Sequence, residues 1–275
     1  MVDFTPWSAN DAARHIRVPA AHDDKYSRGV LGVLTGSAQY PGAAVLGVES
    51  ALRTGVGMVR YLGPDRATDL VLQRRPEAVA GPGRVQAWLI GSGMDHADRD
   101  DATRALSAAA MADGVPTVLD GGALDLHSAA VGPVIVTPHY RELARLLDAE
   151  ATEIAAAPGE WAVRAAERLG ATVLLKGSTT FVAGPGIALT ASHAPTWLAT
   201  AGSGDALGGI LGALVATHAD DIAADPAMLA KLGATASVLH GLAAARASHG
   251  GPFTILDLAA AVPGTIAGLL SSPLT

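Results

Sequence analysis

Four consecutive residues, Gly202-Ser203-Gly204-Asp205, combine two glycines, a hydroxyl and a carboxylate at the point where a loop runs into the apolar stretch 206–216. If that stretch is helical, its first N–H groups lack intrahelical partners and the positive end of the helix dipole adds to them. The amides of Gly202, Ser203 and Gly204 then converge as an anion hole. The same residues also fit a plain flexible turn with Asp205 capping the helix, and the segment alone admits both readings.

The helix behind the loop carries Gly208, Gly209 and Gly212, and a glycine inside a helix costs about 1 kcal/mol relative to alanine. Gly208, Gly212 and Ala216 recur every four residues, which puts them on one face and lets a strand or helix come close. The pattern predicts a buried helix whose N-terminus points into a site.

The elements that must build that site alternate along the chain. Residues 1–28 are polar, with Pro6 and Pro19, and are expected as an arm lying over the surface. Residues 29–35 read as the first buried strand, ending at Gly36-Ser37. A glycine turn at 40–44 opens a helix over 45–53, and 57–62 returns as a strand. That order is a βαβ unit, which belongs to parallel sheets with helices on the faces. Further strands are expected at 87–90, 117–119, 134–136 and 172–175, with helices at 99–112, 142–148 and 159–169. Residues 181–183 and 187–189 flank Gly184-Pro185-Gly186, a hairpin signal for an antiparallel extension at one edge. The buried helix is expected over 206–216, and 226–247 and 256–270 close the far side. Pro263-Gly264 and Ser271-Ser272-Pro273 interrupt the last of these and fray its end. One domain, 1–275, carries the pattern. Loops past the carboxyl ends of the strands form the crevice in such sheets, so Gly36, Gly93, Asp120 and His139 are expected along one edge.

Composition narrows the partners. The 275 residues are 49% hydrophobic but only 4% aromatic, which calls for a core of closely packed small and aliphatic side chains. Nineteen basic against 26 acidic residues give −7, and no basic run occurs, which argues against nucleic acid or an anionic membrane surface as partner. The absence of cysteine excludes disulfides, thiol nucleophiles and Cys-ligated zinc. The N-terminus lacks the features of a secretory signal, so a cytoplasmic protein is expected, and the broken terminal run is not a membrane span.

No G-x-x-x-x-G-K-[ST] loop, no G-x-G-x-x-G after the first strand, no G-x-S-x-G elbow and no H-E-x-x-H helix occurs. The nine histidines show no ligand spacing; most are expected at the surface or hydrogen-bonded, and only His139 is singled out. What remains is a series of motifs in order: Gly36-Ser37, Tyr40-Pro-Gly-Ala-Ala44, Ala51-Leu-Arg-Thr-Gly-Val-Gly57, Val136-Thr-Pro-His139, Leu175-Lys-Gly-Ser-Thr-Thr180, Ala199-Thr-Ala-Gly-Ser-Gly-Asp205 and Leu239-His-Gly-Leu-Ala243. Together they resemble the ribokinase-like superfamily, and within it the NAD(P)H-hydrate dehydratases. The G-S-G-D loop is similar to the whole superfamily, whereas Y-P-G-A-A with T-P-H points to the dehydratases.

This resemblance implies a ribokinase-like three-layer α/β fold, with a mostly parallel central sheet and helices on both faces. It implies a hydro-lyase of cofactor repair, which returns (S)-NAD(P)H-hydrate to NAD(P)H. ADP or ATP phosphorylates the added hydroxyl, so that phosphate leaves in place of the poorer leaving group hydroxide. The resemblance places Ala43, Gly93, His139 and Asp205 on the hydrated substrate. Lys176, Gly177, Ser178, Thr179, Thr180 and Gly204 fall on the nucleotide. The Gly202, Ser203 and Gly204 amides then hold the transferring phosphoryl oxygens, and Asp205, kept ionised by the helix terminus, accepts the proton of the attacking hydroxyl. Taken singly, Ala43 also fits helix-start packing, Gly93 a turn, His139 the cap of the next helix and Lys176 a strand-end lysine reaching solvent.

Mg²⁺ is implied alongside the nucleotide, its protein ligands unassigned. A homo-oligomer, such as a tetramer, and a functional link to a separate NAD(P)H-hydrate epimerase are implied as well. ADP and ATP both stay open as donor, and NADHX and NADPHX as substrate. An epimerase domain fused ahead of this one is not expected, because residues 1–28 are too few to hold it. The chain departs from the family at Asp120-Gly-Gly-Ala-Leu124, where relatives often read D-A-D-A-L, at Pro195-Thr-Trp-Leu198 in place of N-P-G-M, and at Ser203 in place of threonine. Two other readings keep the loop: a ribokinase-like kinase of a small vitamin-type alcohol, and a catalytically silent nucleotide sensor suggested by the missing carboxylate at Gly122.

Overall fold

Strands in the computed structural model, which describes residues 3–271, are short apolar runs cut off by glycine turns. They are β1 (Thr5–Pro6), β2 (Val30–Leu34), β3 (Met58–Tyr61), β4 (Val79–Ala80), β5 (Ala87–Ile90), β6 (Thr117–Leu119), β7 (Val134–Val136), β8 (Thr172–Leu175), β9 (Thr180–Gly184) and β10 (Ile187–Ala191). All join one sheet in the order β1-β10-β9-β8-β7-β6-β5-β2-β3-β4. The pairs from β4 to β8 are parallel, and β9 runs antiparallel to both β8 and β10, as the glycine hairpin leads one to expect. The chain moves outward from β2 to β3 and β4, then returns to the other side of β2 as β5. That reversal parts the loops after β2 and β5 and opens a crevice between them.

Alternation of side chains along β2 sends Leu31 and Val33 to one face and Val30 and Leu34 to the other, and all four are buried, so both faces are covered. The first face is covered by α1 (Ala9–Arg14), α2 (Pro41–Thr54), α3 (Asp65–Arg74), α8 (Ser203–Thr217), α9 (Ala219–Ala224), α10 (Met228–Ser248) and α11 (Ile255–Ser271). The second carries α4 (Asp101–Ala112), α5 (Tyr140–Leu147), α6 (Ala151–Ala156) and α7 (Pro158–Leu169). The result is the expected three-layer α/β fold. Helix α10 is long and apolar enough to cross a membrane, but the fold buries most of it in the protein core.

Helix α8 packs through its glycines. A Cβ on Gly208 would stand 3.3 Å from Leu89, and one on Gly212 would stand 3.0 Å from Leu31, so this face rests on the sheet. The closest backbone approach lies outside the every-fourth-residue stripe: a Cβ on Gly209 would stand 2.1 Å from the Gly47 carbonyl oxygen of α2.

Several expectations need correction. The N-terminal arm is part of the fold. Thr5 and Pro6 pair with Leu189 and Thr190 at the sheet edge, where a missing N–H is tolerated. Trp7 Nε1 donates to Thr235 Oγ1 at 3.0 Å, and a Ser8–Asp11 capping box starts α1, which buries Ala12 and Ala13. Helix α2 begins at Pro41, whose fixed φ suits a first helical turn, so Ala43 lies inside the helix. Pro263 lies within α11 without ending it, and the frayed end expected over residues 272–275 lies outside the described residues. Helices α3 and α6 and strand β4 have no counterpart in the sequence reading. α3 buries only Ala67 and Val71 and α6 only Ile154, too few apolar positions to set up a readable period.

Candidate active site

Gly202 is the N-cap of α8 at φ 89°, in the left-handed region that favours glycine, and a Cβ there would meet Leu46 at 2.5 Å. The helix therefore starts at Ser203, three residues earlier than expected. Asp205 lies in its first turn and no side chain caps it. The plain reading of Asp205 as the cap is excluded. Ser203 N reaches the Thr200 carbonyl only at a long 3.4 Å, and among the described residues no hydrogen bond is seen from Gly202 N or Gly204 N. These amides are available to an anion.

Asp205 accepts no protein hydrogen bond among the described residues. Burial pushes its pKa up to about 6; the Asp120 charge adds to the rise and Lys176 opposes it. Loss of water on burial is the largest of these effects. The outcome is a stronger base than an ordinary carboxylate, still mostly ionised at neutral pH.

Four parallel strands each deliver one polar residue just past their carboxyl ends: Ser92 after β5, Asp120 after β6, Thr137 after β7 and Lys176 after β8. They form one buried network. Asp120 Oδ1 accepts from Lys176 Nζ at 2.7 Å and from Thr137 Oγ1 at 2.7 Å, and Oδ2 accepts from Ser92 Oγ at 2.8 Å. Burial works against charge on both Asp120 and Lys176. Their mutual attraction, with Thr137 and Ser92 donating to Asp120, leaves the carboxyl below its ordinary value and the ammonium above its own. Lys176 is therefore held in the site, its side chain only 20% exposed, and does not reach freely into solvent.

His139 is the N-cap of α5. Its Nδ1 accepts from Arg141 N at 3.1 Å and Glu142 N at 3.2 Å, while Glu142 Oε2 accepts from His139 N at 2.8 Å. This capping box also sets Glu142 Oε2 3.8 Å from Lys176 Nζ, and a parallel bridge joins the backbones of His139 and Lys176.

At the strand-order reversal the small residues meet. Gly93 has φ 69°, and a Cβ on it would stand 2.4 Å from Ala43 Cβ and 3.2 Å from Gly36 Cα. Gly36 N donates to the Ser92 carbonyl at 2.7 Å. Gly36, Gly93, Asp120 and His139 do share one edge.

A cleft of about 760 Å³ opens beside this network. Lys176, Gly177, Ser178 and Thr180 line one side with His139, facing Ser203 and Gly204 of α8. Thr179 and Asp205 are absent from the lining, and a Cβ on Gly177 would meet the Thr179 carbonyl at 3.0 Å. Ala43 and Gly93, packed against each other, do not line this cleft either. Sequence reasoning assigned no role to Asp120, whose partner is 56 residues away, or to Glu142. It also passed over His240 and His193, which line the cleft with a buried ring nitrogen each lacking a partner. The L-H-G motif was the available signal for His240. A Cβ on Gly122 would stand 2.4 Å from the Met94 carbonyl oxygen, so this backbone has no room for the carboxylate often found there in relatives.

Comparison with known proteins adds four findings. The family model described as NAD(P)H-hydrate dehydratase matches residues 31–260. The bifunctional NAD(P)H-hydrate repair enzyme Nnr of Mycobacterium tuberculosis is 42% identical over 232 residues, covering 78% of this chain and 46% of that protein; the chain thus spans about half the length of this relative. The ADP-dependent (S)-NAD(P)H-hydrate dehydratase of Xanthomonas campestris is 32% identical over 237 residues, covering 78% of this chain and 81% of its own. In fold, the chain is similar to the ADP/ATP-dependent NAD(P)H-hydrate dehydratase from Bacillus subtilis co-crystallised with ATP/Mg²⁺. The TM-score is 0.85 at 24% identity, over 98% of this chain and 100% of that one.

Proposed function

The chain belongs to the NAD(P)H-hydrate dehydratase family, and from that premise we propose that it converts (S)-NAD(P)H-hydrate to NAD(P)H at the expense of ADP or ATP. The observation that carries this reading is the pairing of unoccupied amides at the start of α8 with a base, Asp205, whose pKa is raised to about 6 in the same helical turn.

In this reading Asp205 takes the proton of the added hydroxyl as its oxygen attacks the terminal phosphoryl group. The Gly202, Ser203 and Gly204 amides and Lys176 stabilise the charge that develops on the phosphoryl oxygens. The nucleotide leaves one phosphate shorter. The C–O bond then breaks with departure of inorganic phosphate, and loss of a proton from the adjacent carbon restores the ring double bond. Gly177, Ser178, Thr179 and Thr180 carry the nucleotide beside Lys176. Ala43, Gly93 and His139 border the hydrated ring.

Among the described residues no three His, Asp or Glu side chains cluster as metal ligands, and the Asp120 oxygens are engaged by Ser92, Thr137 and Lys176. A Mg²⁺ entering with the nucleotide would neutralise phosphoryl charge in this reading. The reading extends to one domain over 1–275, supported by one sheet that takes in all ten strands, and to a cytoplasmic homo-oligomer. It also includes a separate epimerase as functional partner, in keeping with the bifunctional name of the mycobacterial relative.

The test is to incubate the protein with hydrated NADH or NADPH, Mg²⁺ and either ADP or ATP. Recovery of reduced-nicotinamide absorbance with release of inorganic phosphate is expected. A stable phosphorylated substrate would indicate a kinase, and no recovery with either nucleotide would refute the reading.

A further inference from the structure

Two buried imidazole nitrogens that line the cleft find no partner in the protein: Nε2 of His240, on α10, and Nδ1 of His193, in the segment after β10. Native structures leave few buried polar atoms unpaired, and those that occur call for an explanation. The two rings belong to one wall. A Cβ on Gly241 would stand 2.8 Å from the His193 carbonyl carbon, so the His193 segment lies directly on α10 beside His240. The lining of the cleft includes the apolar Leu207, Leu198 and Ala191, and the Ser237 hydroxyl donates to the Gly233 carbonyl at 3.1 Å.

The chemistry of the partner missing at His240 follows from the charge of its ring. Burial draws the His240 pKa down to about 4, against the opposing effect of a Ser203 backbone hydrogen bond, and Lys176 lowers it further, so the ring is neutral at physiological pH. A neutral, desolvated imidazole suits an uncharged hydrogen-bonding group. The phosphates of a nucleotide are served elsewhere in the cleft, by the α8 amides and Lys176.

We propose that His240 Nε2 and His193 Nδ1 form the nucleoside subsite of this cleft and hydrogen-bond the uncharged purine edge or ribose hydroxyls of the nucleotide. The inference rests on the reading of the cleft as a nucleotide site. It assigns two specificity-determining residues to the α10 side, opposite the Lys176–Thr180 segment.

Calorimetric titration of the full chain with ADP, GDP and inorganic pyrophosphate tests it, using wild type, His240→Leu, His193→Leu and the conservative His240→Gln and His193→Gln. The leucine variants are expected to weaken ADP binding about tenfold while pyrophosphate affinity stays within about twofold, and the glutamine variants to regain much of the loss. Weakening of ADP alone places the contact on the purine edge, and equal weakening of ADP and GDP places it on the ribose. Thermal unfolding without ligand should be unchanged or raised in His193→Leu, because a buried atom without a partner has been removed. Unchanged ADP affinity in both leucine variants overturns the inference, as does parallel weakening of ADP and pyrophosphate, which would mean that His240 acts on the phosphate cradle through Ser203. Wild type that binds no adenine nucleotide overturns the nucleotide reading itself, and this inference with it.

Discussion

Lys176 Nζ and Asp120 Oδ1 lie 2.7 Å apart in the interior of the site, although 56 residues separate them in the chain and β7 stands between their strands. The cation that faces the cleft is thus tethered before any ligand arrives, and the same carboxylate raises the pKa of Asp205. One buried anion holds the Lys176 ammonium in place and raises the basicity of Asp205.

Replacement of Asp205 by Asn keeps the side-chain shape and removes the proton acceptor. Turnover of hydrated NADH is expected to fall by about 10²- to 10⁴-fold, with ADP affinity retained by calorimetry. A variant with full activity would place the base elsewhere.

The raised pKa of Asp205 has a consequence for stability. Its folded value of about 6 exceeds the ordinary 3.8, so the folded chain binds this proton more tightly than the unfolded one. Stability is favoured below about pH 4, and it declines as pH rises through about 6. The full penalty is about 3 kcal/mol, from roughly two pH units at about 1.4 kcal/mol each. Urea unfolding of Asp205→Asn should match wild type near pH 4 and exceed it by up to that amount at pH 8. An unchanged difference across this range would show that Asp205 is solvated. The rate profile of wild type should likewise lose activity as pH falls through about 6.

Asp120→Asn removes the nearest counter-ion of the buried Lys176 and leaves it only Glu142 Oε2, 3.8 Å away. Loss of one partner of such a pair costs about 3–5 kcal/mol, to be read in urea unfolding at pH 7. The acidic limb of the rate profile should also move to lower pH, because a negative charge that raises the Asp205 pKa is gone. A limb that stays in place would separate Asp120 from the base.

Gly93→Ala sets a methyl group against Ala43 at a backbone angle that favours glycine. The Michaelis constant for hydrated NADH should rise about tenfold or more, with ADP affinity unaltered. Equal effects on both ligands would mean that the whole edge has shifted.

Much of the architecture was legible in short apolar runs between glycine turns: 87–90, 117–119, 134–136 and 172–175 are strands with those bounds. Such runs are local signals, since burial on both faces needs apolar residues at every position. The glycine-rich start of α8 was legible for the same reason. Glycine at 202 permits the left-handed cap, and glycine at 204 leaves its amide uncovered; both properties belong to the residue itself. The motif order also carried the family.

Tertiary structure alone decided the rest. Lys176 meets Asp120 only once β6, β7 and β8 lie side by side. Asp205 becomes a stronger base only once packing removes its water, and His139 is engaged in capping α5 through a hydrogen bond to its own helix. Thr5-Pro6 becomes a strand only because Leu189 and Thr190 present an open edge. The unpaired nitrogens of His240 and His193 arise where α10 passes beneath the segment after β10. Residue type and spacing determine local conformation. Pairing, desolvation and the loss of a hydrogen-bond partner depend on distances that exist only in the folded chain.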